Sequence, residues 1–532
     1  MRKLFPYLGS LLLLLAFTGC RSWDKSSGVK GGDEKLGPDI NAGGDVDGDG
    51  IVNLNDNCPV ISNAGQEDQN ENGIGDVCDE ESVVGEGNEN LVVNGDADVN
   101  RIANVDGDVD GEEDGDGNVD DGNGDVVIPG WSAVQQMSGD VDNIFCGPNV
   151  MTNDNGDSVL VWGDSEGVYV RRYSAAHNLW TDPERIHENV GDIVVHCLPF
   201  SDLLGNIFVV MHTWDEGLWV KQYNIAHGWD PAIIRMEEDP DSFVISLDIA
   251  GNRDGKVFVT WYALGLNTGI RKINVKRYDP SGGGWNVQKF TLSQPTQEVY
   301  FLDSLMTNSN ELLFVWQSGN AEVGYRIDSK RYSWDLQSWL PQTIRTGLSF
   351  GNPWNSNLTL AKSTSGEPVL MWKEEGAVEK LFANHYFERM WRTNEEAASG
   401  GSLNMPFIAE DSSGNDLVAF FSFDKTYARR HVAGGDAWDN PLSEFEMTTL
   451  LDLGMDGSGN GILIGSRNQD IWLYRFSAGS GTWEEPQRFL EAGDLNRIRN
   501  FDLIMNPSGR VIAVWRSKTP ENLWRVFLRH YQ

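Results

Sequence analysis

Asp45, Asp47 and Asp49 alternate along the chain, Gly50 follows them, and Asp56 stands twelfth counting from Asp45. A second copy runs through Asp68, Asn70, Asn72 and Gly73 and ends on Asp79, again the twelfth residue. Oxygen donors at every second position converge on one point when the backbone winds tightly, and glycine at the sixth position permits the turn. The chemistry such a pattern serves is binding of a hard cation such as Ca2+, which takes roughly six to eight oxygens. Main-chain carbonyls of Ile51 and Ile74 at the seventh position, with the Asp56 and Asp79 carboxylates at the twelfth, would complete the two shells. Asn70 and Asn72 stand where the first copy has acids, so the second site is expected to be the weaker.

The elements that position these ligands are not paired helices. Asp replaces the usual Glu at the twelfth position, and Pro59 with the glycine-rich flanks leaves no room for a helix on either side. The run Asp56-Asn57-Cys58-Pro59, then Asn63, Gln66 and Asp68, then Gly73-Ile74-Gly75-Asp76-Val77-Cys78-Asp79, resembles the thrombospondin type 3 repeat. That resemblance covers residues 45–79 and implies Ca2+ wrapped by chain with little regular structure, Asp76 among its ligands, and a Cys58–Cys78 disulfide. Composition agrees, because a segment so acidic and so poor in apolar residues builds no core and needs ions and a covalent link to be ordered. As an extracellular module it is expected to bind Ca2+ with an affinity on the order of 10⁻⁴–10⁻³ M. A further acidic tract over residues 104–125 starts with Asp106, Asp108, Asp110 and Gly111, but its twelfth position falls on Gly117. That tract reads as disordered chain or diffuse, weak Ca2+ binding.

Charge is distributed accordingly. The net charge is −39, and between Asp33 and Gly130 there are 28 carboxylates against Lys35 and Arg101. No basic face is left for phosphate, which excludes nucleic acid as an expected partner.

The first residues address the compartment. Arg2 and Lys3 precede an apolar run from Leu4 to Leu15, the layout of a secretory signal peptide. Phe17-Thr18-Gly19-Cys20 resembles a bacterial lipobox, which implies cleavage before Cys20 and lipidation of that residue. No other run approaches the roughly 18 apolar residues needed to span a bilayer, so acyl chains are the expected membrane attachment. Arg21 after the cysteine resembles the sorting pattern for the outer membrane, at the cell surface or its periplasmic face.

From residue 131 onward a repeat takes over. NGDSVLVW (155–162), DGKVFVTW (254–261), SGEPVLMW (365–372) and SGRVIAVW (508–515) share a turn, a glycine and an alternating strand that ends in tryptophan. The same register holds at Gly205–Met211, Asn310–Trp316, Gly414–Phe420 and Gly459–Gly465. Asn310 takes the glycine position, as a left-handed backbone allows. A second strand follows each copy and ends in a basic–aromatic pair, as in VYVRRY (168–173), LWVKQY (218–223) and INVKRY (273–278). Trp180, Trp229, Trp285, Trp339, Trp391, Trp438 and Trp483 then open a last strand. Four short antiparallel strands recurring eight times predict an all-β, eight-bladed β-propeller, with seven blades as the alternative. The eighth unit ends without its last strand, and GWSAVQQM (130–137) is expected to supply it through Trp131.

Cys146 and Cys197 fall on corresponding innermost strands of successive units and could pair in an oxidising compartment. The repeated tryptophans read as packing residues, and the Arg-x-Tyr pairs as strand faces with solvated cations. His177 and His227, each in a loop before a tryptophan, read as turn contacts. The body resembles the "VW…RY…W" repeat segments of bacterial surface lipoproteins. Sialidase-type Ser-x-Asp-x-Gly-x-Thr-Trp boxes are absent, as are the quinoprotein tryptophan-docking motif, Gly-x-Ser-x-Gly and His-Glu-x-x-His. The expected organisation is a signal peptide over 1–19, a tether over 20–44, the calcium repeat over 45–80, an acidic linker over 81–129 and the propeller over 130–532. The expected function is a monomeric, calcium-binding, lipid-anchored surface protein whose propeller recognises a protein or glycan. A glycan-active hydrolase of the sialidase type is the alternative.

Overall fold

The computed structural model describes residues 130–531, apart from short stretches within them, together with residues 51, 64 and 65. Cys20, the Cys58–Cys78 pair and every expected calcium ligand except Ile51 lie outside the described residues. The chain separates into two units, Lys30–Gly117 and the remainder, and the architecture below belongs to the latter.

Every described element is a strand, and the strands form eight small antiparallel sheets. In blade 1, strand a is Ile144–Thr152, strand b Ser158–Asp164 and strand c Gly167–Ser174, paired in that order. The a strands of successive blades lie against one another, and blade 8 lies against blade 1, so the ring is closed. This is an eight-bladed propeller. The a–b turn recurs with positive φ at Gly156, Gly205, Gly255, Asn310, Gly414, Gly459 and Gly509. Asn310, at φ 55°, adopts the conformation its glycine counterparts adopt. The residue three before each turn glycine caps the turn: Asp202, Asp411 and Asp456 each accept from two backbone N–H groups through Oδ1.

The outermost strand differs from the sequence reading. Instead of one strand opened by tryptophan, blade 1 has a two-residue piece, Leu179–Trp180, and then Glu184–Glu188, both paired to strand c. Five further blades break in the same way. The break follows from a single pairing: the N–H after the tryptophan bonds the carbonyl of the residue before the strand c aromatic, as Thr181 does to Arg172 at 2.8 Å. In blade 8 the equivalent bond runs from Ser132 to His530 at 2.8 Å, and Gln135 and Gln136 pair with Leu528 and Phe527. The residues from Gly130 onward therefore supply the outer strand of the last blade and cover the edge of its strand c.

Alternate residues of each strand enter the faces between blades, producing eight buried clusters, one at each junction. Trp162, Trp261, Trp372 and Trp515, the tryptophans that end strand b, are completely buried. Close to the axis, carboxylates on four of the a strands tie their blade to the next. Asp248 accepts from the Ser304 N–H at 2.9 Å, Asp303 from Leu360 at 3.0 Å, Asp452 from Leu503 at 3.0 Å and Asp502 from Val150 at 3.2 Å. Complete burial pushes Asp248 up to about 7, despite these hydrogen bonds.

Candidate functional site at the blade junctions

The aromatic and basic residues that mark the repeat meet at the rim of each junction. In every blade the outer tryptophan packs on the aromatic or imidazole ring that ends strand c, with centroids 5.1–5.6 Å apart, from Tyr173–Trp180 round to Trp131–Tyr531. Such pairs contribute about 0.5–1.5 kcal/mol beyond their buried area. The tryptophans therefore serve packing, and three of their indole N–H groups also reach the preceding blade. Trp229 donates to Glu184 at 2.7 Å, Trp285 to Gln222 at 3.3 Å and Trp391 to Ser329 at 3.3 Å.

The cations are not the solvated side chains that the sequence reading made of them. Two residues before the ring, Arg171 donates to the Thr181 carbonyl at 2.6 Å, Arg429 to Asp439 at 2.7 Å and Arg529 to Ser132 at 3.1 Å, each holding its own blade's outer chain, whereas Lys276 reaches the Arg235 carbonyl of the preceding blade at 3.4 Å. Where the residue directly before the ring is arginine, it reaches forward to the ring of the next blade. Arg172 lies 4.3 Å from the Tyr223 centroid, Arg277 5.2 Å from Tyr332, Arg430 5.6 Å from Phe476 and Arg475 4.5 Å from Tyr531. Arg331 donates to the Tyr386 hydroxyl at 3.0 Å. In sequence the pair looks like a polar strand end; the next blade, about 50 residues on, completes it.

Two junctions carry different chemistry. Between blades 1 and 2, Cys146 and Cys197 form a disulfide with Cα atoms 5.7 Å apart, and both cysteines are buried. Cys146 Sγ occupies space beside Gly163, where a Cβ would lie only 2.6 Å from the sulfur. Beside Cys197, His196 stacks on His212 with Nδ1 atoms 3.3 Å apart, and burial pushes His196 down to about 4.

Between blades 5 and 6 the forward-reaching cation is His385 and the receiving ring is His431. Asp416 Oδ2 lies 2.7 Å from His385 Nε2 and 3.0 Å from His431 Nδ1. Glu395 faces the other side of both rings, 4.0 Å from His385 Nδ1 and 3.5 Å from His431 Nε2. Burial disfavours the His385 imidazolium, but the Asp416 carboxylate outweighs it and holds His385 above its ordinary value. Burial also works against the Asp416 charge, and the two imidazoles overcome it, holding Asp416 below the usual carboxylate range. No motif singled out these residues. Their signal is positional, two histidines and an aspartate replacing the expected types in one register of the repeat.

The sequence-predicted histidines are elsewhere. His177 Nδ1 lies 2.9 Å from Ser174 Oγ across an exposed turn, and the His227 N–H bonds Asn224 at 3.2 Å. Glu237, another buried carboxylate, is fully engaged by Lys289, by Trp261 Nε1 at 2.8 Å and by two backbone N–H groups. It reads as a structural node between blades 2 and 3.

Residues 43–66 match the thrombospondin type 3 repeat family. The chain carries that repeat and an eight-bladed propeller. Repeats of this family bind calcium in general. The match takes in Asp45, Asp47, Asp49, Ile51, Asp56 and Cys58, while Asp68 to Asp79 lie beyond it. Comparison with curated proteins finds no match. Among solved structures, the BP39L lectin from Burkholderia pseudomallei is 13% identical, with a TM-score of 0.43, covering 64% of this chain and 97% of its own. The Dos1 propeller is 13% identical at a TM-score of 0.45, covering 74% and 93%. A mutant NanB sialidase from Streptococcus pneumoniae is 8% identical at a TM-score of 0.33, covering 76% and 93%. Likenesses at these levels transfer neither ligand nor reaction. Among the described residues, no helix is long and apolar enough to cross a membrane.

Proposed function

We propose that this protein is a calcium-binding, lipid-anchored surface protein of the bacterial outer membrane whose propeller is a recognition module for a protein or glycan. The observation that carries the reading is the match of residues 43–66 to a calcium-binding repeat in a chain whose remaining described part is a closed propeller. Ca2+ held by Asp45, Asp47, Asp49, the Ile51 carbonyl and Asp56 would make the acidic segment a compact spacer. The junction geometry supports recognition by the loops, since the residues common to the blades are consumed in blade-to-blade packing. What remains free to vary from blade to blade is the set of loops at the two ends, the usual place for binding residues on a rigid scaffold.

The test is a glycan array together with a chromogenic glycoside panel, each run on the soluble form with and without chelator. Saturable binding without turnover is the expected result. Turnover of any glycoside would replace the recognition reading with that of a hydrolase.

A further inference from the structure

Three positions of the repeat change together at the junction of blades 5 and 6. His385 stands where blades 1, 3, 4, 6 and 7 have Arg172, Arg277, Arg331, Arg430 and Arg475. His431 stands where the others have tyrosine or phenylalanine. Asp416 opens strand b opposite His431, the place taken by Ile207 opposite Tyr223 and by Val257 opposite Tyr278. Ser158, Leu312, Gly461 and Val511 hold the same place opposite their rings, none of them charged; a buried carboxylate is costly unless its partners justify it, and here Asp416 is entirely buried. Its Oδ2 is shared by both imidazoles, while its Oδ1 has no hydrogen-bond partner.

We propose that this junction binds one divalent transition-metal ion of the zinc class through His385 Nε2, His431 Nδ1 and the Asp416 carboxylate. The three donor atoms lie within 4.8 Å of one another. Asp416 Oδ2, at 2.7 and 3.0 Å from the two nitrogens, is slightly closer to them than the roughly 3.4 Å edge of a tetrahedron with ligands about 2.1 Å from the metal. Replacing the bridging protons by an ion therefore opens the cluster by less than about 1 Å. The unpartnered Asp416 Oδ1 or a water supplies the fourth position, and His385, the most exposed of the three ligands, marks the side of entry. Glu395 completes the arrangement from behind. It faces His431 Nε2 at 3.5 Å and His385 Nδ1 at 4.0 Å, the ring nitrogens left over when the other two ligate, and is placed to accept the His431 N–H and to orient both rings by its charge. Charge also balances. Two neutral imidazoles and two carboxylates leave two negative charges, which one divalent ion cancels. Imidazole donors select an ion of the Zn2+ or Co2+ kind and not the Ca2+ expected at the N-terminal carboxylates.

The experiment titrates Co2+ and Zn2+ into the full soluble chain held in saturating Ca2+, so that the acidic segment is already occupied. The comparison is with a triple variant, His385→Arg, Asp416→Ile and His431→Tyr, which rebuilds here the Arg172, Ile207 and Tyr223 of the junction between blades 1 and 2 and so retains a packed interface. The native chain is expected to take up one more equivalent of metal than the variant. It should also show visible Co2+ bands of tetrahedral intensity and a Zn2+-dependent rise in melting temperature, both missing from the variant. Glu395→Gln, which removes only the orienting charge, should weaken binding roughly 10–100-fold. Equal stoichiometry and identical Co2+ spectra for native chain and triple variant would overturn the proposal and leave the cluster a proton-bridged contact.

Discussion

Removing the link between Cys146 and Cys197 should lower the melting temperature by about 5 °C. The two cysteines are 51 residues apart, and a cross-link closing a loop of that length removes chain entropy equivalent to about 4 kcal/mol from the unfolded state. Spread over a propeller of about 400 residues, with an unfolding entropy of roughly 2 cal/mol/K per residue, this becomes a shift of about 5 °C. The assay is calorimetric unfolding at fixed Ca2+ of three samples: the oxidised protein, the same protein refolded in reductant, and Cys146→Ala/Cys197→Ala. Reduced protein keeps the sulfur atoms and loses only the link, whereas the variant also leaves a small void beside Gly163. The variant should therefore melt slightly below the reduced protein, and both well below the oxidised form. If reduction shifts the transition by less than about 1 °C, loop-closure entropy is not what this disulfide contributes.

Further outcomes follow from burial and close approach. Gly251→Ala would drive its Cβ into the Phe200 ring of the preceding blade and should destabilise by about 1–3 kcal/mol, read as a lower denaturant midpoint at unchanged slope. His196, pushed down to about 4, contributes stability that is complete above its unfolded value of 6.5 and is lost as pH falls from there towards 4. The loss is at most about 3 kcal/mol, reduced by the partial exposure of the ring, and His196→Gln should flatten the stability profile over that window. Asp248, raised to about 7, acts in the opposite sense, its stabilising effect fading as pH climbs from 3.8 to 7, so the His196 slope is read as a difference between variant and native protein. Chelation of Ca2+ should expand the soluble form as the carboxylates of residues 45–79 repel one another; dynamic light scattering showing no size change would refute the spacer role.

Much of the fold was legible because a propeller repeats its instructions. The turn and the alternating strand after it recur eight times, five of them ending in tryptophan, and alternation assigns each strand residue to one of the two junctions its blade faces. Asn310 was readable for the same reason, since one conformation must serve that position in every copy. Arg172 was misread because its partner, Tyr223, lies 51 residues away, and a basic residue at a strand end is ordinarily solvated. Glu395, His385, Asp416 and His431 were invisible as a group. They sit on four different strands of two blades, and no short motif joins them.

By itself the sequence determined the local quantities: the charge ladder of residues 45–56, strand period and turn conformation, each set within a few residues by sterics and side-chain spacing. Only the tertiary structure decided what depends on two blades meeting. It paired Cys146 with Cys197, turned the strand-end arginines into contacts between blades and brought two histidines to one buried carboxylate. Those outcomes are distances between side chains far apart along the chain, and they exist only once the ring has closed.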